Sequence, residues 1–145
     1  MQKRVFIVHG WGGYPEEGWF PWLKKELEAE GFIVGVPAMP ETEFPEIEAW
    51  VSYLSKLVGE PDKNTYFVGH SIGCQTILRY FQGLKNKKVG GAVLVAGWLY
   101  LENLEDVEKP VAKPWLKIPI DLEKLKFDTD KFMVNLSDND HYGAV

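Results

Sequence analysis

The segment "YFVGHSIGCQTILRYF", Tyr66 to Phe81, holds Gly69-His70-Ser71-Ile72-Gly73, a G-x-S-x-G pattern whose serine is a candidate nucleophile for acyl transfer. The pattern has a mechanism only where a strand runs into it and a helix runs out. Here an apolar run ends at Gly69 and helical spacing begins at Ile72, so a sharp turn with a strained serine backbone is expected. Side chains at the two glycine positions would collide with the neighbouring strand and helix. The hydroxyl would then project above the sheet at a helix N-terminus, whose partial positive charge favours an oxyanion.

Two further segments supply what such a serine needs. "IVHGWGG", Ile7 to Gly13, follows the first predicted strand and offers glycine-rich backbone, which places the two oxyanion donors at the N–H groups of Trp11 and Ile72. A dinucleotide loop is excluded because Pro15 stands where G-x-G-x-x-G needs its third glycine, and no G-K-[ST] phosphate loop exists. A purely structural glycine turn is the competing reading. "NLSDNDHYGAV" is an acidic loop after the last predicted strand, where a triad acid belongs, so Asp138 or Asp140 would orient an imidazolium. Its alternative is a solvated turn.

The proton acceptor is the open question, because the chain has three histidines, His9, His70 and His141. His70 adjoins Ser71, but neighbours on a sharp turn point apart. His9 precedes the oxyanion loop and reads as a structural hydrogen-bonder beside the site, whereas His141 adjoins Asp140. His9, His70, Trp98 and Trp115 are the candidate pocket residues, with Trp11, Trp98 and Trp115 able either to line an apolar acyl site or to pack as core or lid. No H-x-x-x-H or C-x-x-C spacing is present, so neither a metal nor another cofactor is expected. Cys74, one turn into the helix after the serine, reads as a buried small hydrophobe.

The elements that must position these residues alternate between strand and helix, the pattern of a parallel sheet with helices on both faces. Strands are predicted at Arg4–Val8, Phe32–Val36, Tyr66–Gly69, Ala92–Ala96 and Phe132–Leu136. Trp22, Leu23 and Leu27 mark a helix closing at Gly31. Ile47, Trp50, Val51, Leu54, Leu57 and Val58 recur at helical spacing between Pro45 and Gly59, and a further helix runs from Ile72 to Leu84. From Trp98 to Pro119 periodicity is lost among three prolines, so the stretch reads as a long connection, either a lid or pocket wall or an irregular surface loop, followed by one short helix at Leu122–Lys126.

With 145 residues, 46% hydrophobic and 26% charged, the chain is expected to form one domain, 1–145, around a single core. A net charge of −5 argues against nucleic acid, since Lys85, Lys87 and Lys88 are the only basic cluster and fall where a helix C-terminus favours cations. One cysteine fits a reducing compartment, and no signal peptide or membrane span is expected, which makes a cytoplasmic protein without membrane partners the default.

These segments together resemble the small α/β-hydrolase-fold serine hydrolases typified by retinoblastoma-binding protein nine and its bacterial relatives of the YdeN type. The resemblance runs along the whole chain through "IVHGWGG", "WFPWLKKELEAEGF", "VPAMP", "YFVGHSIGCQTILRYF", "GAVLVAGW", "KPW" and "SDND". It implies a three-layer α/β/α sandwich with a mostly parallel sheet, Ser71 as nucleophile, and Asp140 as the acid through the family's Ser-x-x-Asp pattern. It also implies a small-molecule acyl substrate, a carboxylic ester or a related compound. In the family the histidine follows one further helix and strand that this sequence lacks, so either the natural chain continues and supplies them, or the exposed sheet edge is covered by association in a homo-oligomer. Two functions compete: a serine hydrolase, and a catalytically impaired hydrolase-fold module that binds a ligand or a protein.

Overall fold

The computed structural model describes residues 2–126, 129 and 131–143. Five strands form one sheet: β1 (Arg4–Val8), β2 (Ile33–Gly35), β3 (Thr65–His70), β4 (Gly91–Val95) and β5 (Phe132–Asn135). Their order is β2-β1-β3-β4-β5, and every pairing is parallel. Between them run α1 (Phe20–Ala29), α2 (Ile47–Val58), α3 (Ile72–Gln82), α4 (Lys109–Lys117) and α5 (Leu122–Leu125). This is the expected α/β sandwich.

Period-two patterning divides the core between the two faces of the sheet. Val5, Ile7 and Val68 pack with Phe20 and Val34 on the face that α1 covers. Val8 and Phe67 pack on the other face with Trp50, Leu54, Ile72, Ile77 and Phe81 from α2 and α3. Helix α3 is buried along Ile72 to Phe81, because sheet, α2 and α5 all touch it. Such a helix cannot shift without moving its neighbours, so the turn that starts it is held firmly.

The stretch from Trp98 to Pro119 corrects the expectation of an irregular connection, for α4 forms inside it. Pro110 sits in the first turn, where its missing N–H costs nothing, but Pro114 inside the helix hides the pattern. Tertiary contacts hold α4 in place. Trp115 is 1% exposed and donates from Nε1 to Pro45 O at 2.9 Å, while Arg79 donates to the carbonyls of Trp115 and Ile118 at the C-terminal end. Among the described residues no helix is long and apolar enough to cross a membrane.

Candidate active site

The chain order reverses between β1 and β3, which lie side by side in register from Arg4↔Thr65 to Val8↔Gly69. A crevice therefore opens beyond their carboxyl ends, the place where open α/β sheets bind ligands. Gly10 to Gly13 leave β1 on one side of it and Ser71 leaves β3 on the other.

Ser71 has φ 53° and ψ −122°, a left-handed conformation that is strained for a residue with a side chain by about 1–3 kcal/mol. Its N–H donates to Val95 O at 3.0 Å, and Ser71 O accepts from Cys74 N, also at 3.0 Å. The glycines on either side are required by packing. A Cβ on Gly69 would lie 2.9 Å from the Cys74 backbone, and one on Gly73 would lie 2.3 Å from Val8 O and 2.7 Å from His9 O. Helix α3 thus presses against the end of β1 through Gly73, and Ser71 absorbs the bend.

The amide of Ile72 opens α3, where helix geometry provides no acceptor for it. The loop that carries the Trp11 amide is fixed from both sides. Gly12 N donates to Thr42 O at 2.8 Å and Trp11 Nε1 to Glu43 O at 2.9 Å, while Gly13 N closes a turn onto Gly10 O. His9 secures the same turn. Met39 N can only donate, so its 3.0 Å bond makes His9 Nε2 an acceptor and leaves Nδ1–H to donate to Gly10 O at 2.8 Å. Burial lowers the His9 pKa from the ordinary 6.5, against the opposing pull of Gly10 O and Glu17. This imidazole is neutral scaffolding.

The resulting cleft has a volume of about 410 Å³. Gly10, Trp11 and Gly12 form one wall, Ser71 with His70 the floor, and Ala96 with Trp98 the side that follows β4. Leu101, Leu104 and Glu108 enter from the segment leading into α4, and Asp140 with Tyr142 from the segment after β5. Asp140 Oδ1 accepts from Tyr142 N at 2.8 Å, so its loop is a hydrogen-bonded turn. Ser71, His70, Trp98, Asp140 and the Trp11 loop are brought together. His9 and Trp115 are not, since both are buried beneath the cleft against Trp50.

None of the histidines bonds to Ser71 Oγ among the described residues; its partner is Trp98 Nε1 at 3.1 Å. His70 points its ring edge-on to Trp19 and Phe20, with Nδ1 sealed off and without a hydrogen-bond partner among the described residues. Burial pushes its pKa below 6.5, while Glu17 and Asp140 pull it back and His9 adds to the depression. His141 is exposed, and its ring stacks edge-on against Tyr142. Asp138, the other candidate acid, is also exposed.

Sequence reasoning missed the charge of the cleft. Glu17, Glu43, Glu108 and Asp140 line it, with no lysine or arginine among the described lining residues. All four lie outside the helices and strands, and only the closure of loops over the sheet brings them together. Gln75 and Arg79 were also missed, being two polar residues on a helix that is otherwise read by its apolar face.

The chain is similar in sequence and fold to known proteins. The sequence model described as "Serine hydrolase" matches residues 5–145. The protein named "Putative hydrolase YdeN" of Bacillus subtilis (strain 168) is 41% identical over 99 residues, 68% of this chain and 52% of that protein. The chain thus spans about half the length of that curated relative. The crystal structure of the ydeN gene product from B. subtilis superposes with a TM-score of 0.88 at 30% identity, covering 99% of this chain and 75% of that one. A monoacylglycerol lipase from Paleococcus ferrophilus, 22% identical with a TM-score of 0.61 over 79% of this chain and 47% of its own, shares the fold. A strained serine between β3 and α3, on a parallel sheet ordered β2-β1-β3-β4-β5, is thus accompanied by family-wide sequence similarity, and the chain belongs to the serine hydrolase family with the α/β-hydrolase fold.

Proposed function

We propose that this protein hydrolyses small uncharged carboxylic esters through a covalent acyl-serine, with Ser71 as the nucleophile. The observation that carries the reading is the Ser71 backbone at φ 53°, ψ −122°, wedged between two glycines that admit no Cβ. Ser71 Oγ attacks the ester carbonyl carbon, an O–C bond forms, and the carbonyl electrons move to an oxyanion that the Trp11 and Ile72 N–H groups stabilise. The hydroxyl proton passes to a general base that returns it to the leaving alcohol, the role of an imidazole oriented by Asp140; no described histidine bonds to Ser71 Oγ, so that base is unassigned among the described residues. Water then repeats the sequence on the acyl-enzyme and frees the acid.

Four carboxylates in the lining favour an uncharged acyl chain over an acidic one, because like charges repel and the cleft offers no cation among its described residues. The aromatic faces of Trp11, Trp98 and Tyr142 supply apolar contact.

One observation favours a second reading, a ligand-binding protein without turnover. The described partner of Ser71 Oγ is an indole, which donates and cannot accept a proton. A serine site without an imidazole retains only about 10³–10⁴-fold acceleration over water. Intact mass spectrometry after treatment with a fluorophosphonate, run beside Ser71→Ala, separates the two. The hydrolase reading expects one adduct, on the wild type alone, together with Ser71-dependent cleavage of a short neutral ester. Absence of adduct and of cleavage, with ester binding equal in both proteins, would overturn it in favour of the second.

A further inference from the structure

A run of buried polar groups reaches the serine from behind. Ser71 Oγ accepts from Trp98 Nε1 at 3.1 Å. Trp98 belongs to no strand or helix, yet it is 4% exposed and its carbonyl accepts from Gln75 Nε2 at 2.9 Å. Gln75 is itself 1% exposed, and its Oε1 accepts from Arg79 Nε at 3.1 Å and Nη2 at 2.9 Å. The same Nη2 donates to Trp115 O at 3.1 Å and Ile118 O at 2.7 Å, where α4 ends. The serine is thereby linked through α3 to the far end of α4.

Chemistry fixes the direction of every link. A guanidinium has no acceptor, so Gln75 must present its oxygen to Arg79 and its NH₂ to Trp98. An indole N–H has no acceptor either, so Ser71 Oγ is the receiving atom and its own proton must point elsewhere. Leaving any of these groups unpaired in the interior costs about 1–3 kcal/mol, which holds the chain together as a unit. Arg79 also brings positive charge to the negative end of α4.

We infer that Trp98 is a positioning residue for Ser71, and that Gln75 and Arg79 hold Trp98 in place by anchoring it to α4. The inference rests on the reading of Ser71 as nucleophile. With one Oγ lone pair engaged by the indole, the hydroxyl is confined to one rotamer, its proton is directed away from Trp98, and the second lone pair is left for attack. The same N–H stabilises negative charge as the proton departs.

The test uses the indole N–H signals of the six tryptophans in a ¹H–¹⁵N spectrum, with Trp98 assigned by its loss in Trp98→Phe. Ser71→Ala is expected to move the Trp98 signal upfield while those of Trp50 and Trp115 stay in place; an unmoved Trp98 signal would overturn the inference. Gln75→Glu keeps an acceptor for Arg79 but removes the donor to Trp98 O, and it is expected to move the same signal. No movement there would overturn the anchoring through α3. Phosphonylation then measures the consequence, as the Oγ–P bond forms, the P–F bond breaks, fluoride leaves and the hydroxyl proton passes to solvent. Trp98→Phe keeps a ring and drops the N–H, so kinact is expected to fall about tenfold at unchanged KI. An unchanged kinact would overturn the positioning role. A wild type that never labels would sink the acyl-transfer reading, and the indole spectra would still decide whether Trp98 holds the hydroxyl.

Discussion

The turn at Ser71 and the strand β5 both follow from apolar runs entering loops, and they reach opposite conditions. Every residue from Ile72 to Phe81 is buried, and the glycines of the turn have neighbours closer than a methyl group allows. All four residues of β5 are exposed, Met133 at 64% and Val134 at 60%. Beside β5 an apolar groove of about 810 Å³, walled by Trp22, Leu23, Val93 and Met133, runs between α1 and the sheet edge. β3 is paired with β1 and β4, whereas β5 pairs with β4 alone among the described residues. An apolar pattern is enough to make a strand. Only neighbours on both edges and both faces force one backbone geometry, and the site's unusual conformation lies in the forced region.

The strongest challenge to this contrast is Gly73→Ala. Its methyl group would meet the carbonyls of Val8 and His9, which are backbone atoms of a central strand and the loop it feeds, so a loss of about 3 kcal/mol or more is expected in urea unfolding. A loss under about 1 kcal/mol would mean that α3 is free to retreat.

Acid should also act on the turn region. Burial holds His9 and His70 below 6.5, so the unfolded chain takes up protons first as the pH falls. Their contribution is therefore complete above about pH 6.5 and is lost on the acid side. The melting temperature is expected to drop as the pH falls below 6.5, and to drop less in His70→Phe. Equal slopes in the two proteins would remove His70 from this account.

The smallest effect belongs to β5. Val134→Thr retains β-branching on an exposed strand and should change stability by no more than about 0.5 kcal/mol. A larger loss would show that this edge is covered in solution.

The strands, α2 and α3 were legible because burial on one or both faces imposes a period that residue types record. The Gly69 and Gly73 requirements were legible for the same reason, since a strand-turn-helix with no room leaves a glycine signature. Helix α4 was not, because Pro114 contradicts its local propensity and the compensation comes from distant parts of the chain, with Arg79 and Pro45 bonding to Trp115. The bond from Trp98 to Ser71 was hidden likewise. A tryptophan after a strand reads as lining, and nothing local shows which way its N–H faces. The neutrality of His9 became visible only with Met39 and Gly10 in place.

The all-parallel pairing has a consequence for how the protein acquires its site. Parallel neighbours cannot be joined by a tight hairpin, so each pairing waits for a crossover segment. The junction of β1 with β3 waits longest of those around the cleft, since α1, β2 and α2 all intervene in the chain. Loop closure of that length slows folding, and local elements form ahead of it. During refolding, helices α2 and α3 should therefore gain structure before the crevice between the Trp11 loop and Ser71 exists, and ligand binding should return later than helical circular dichroism.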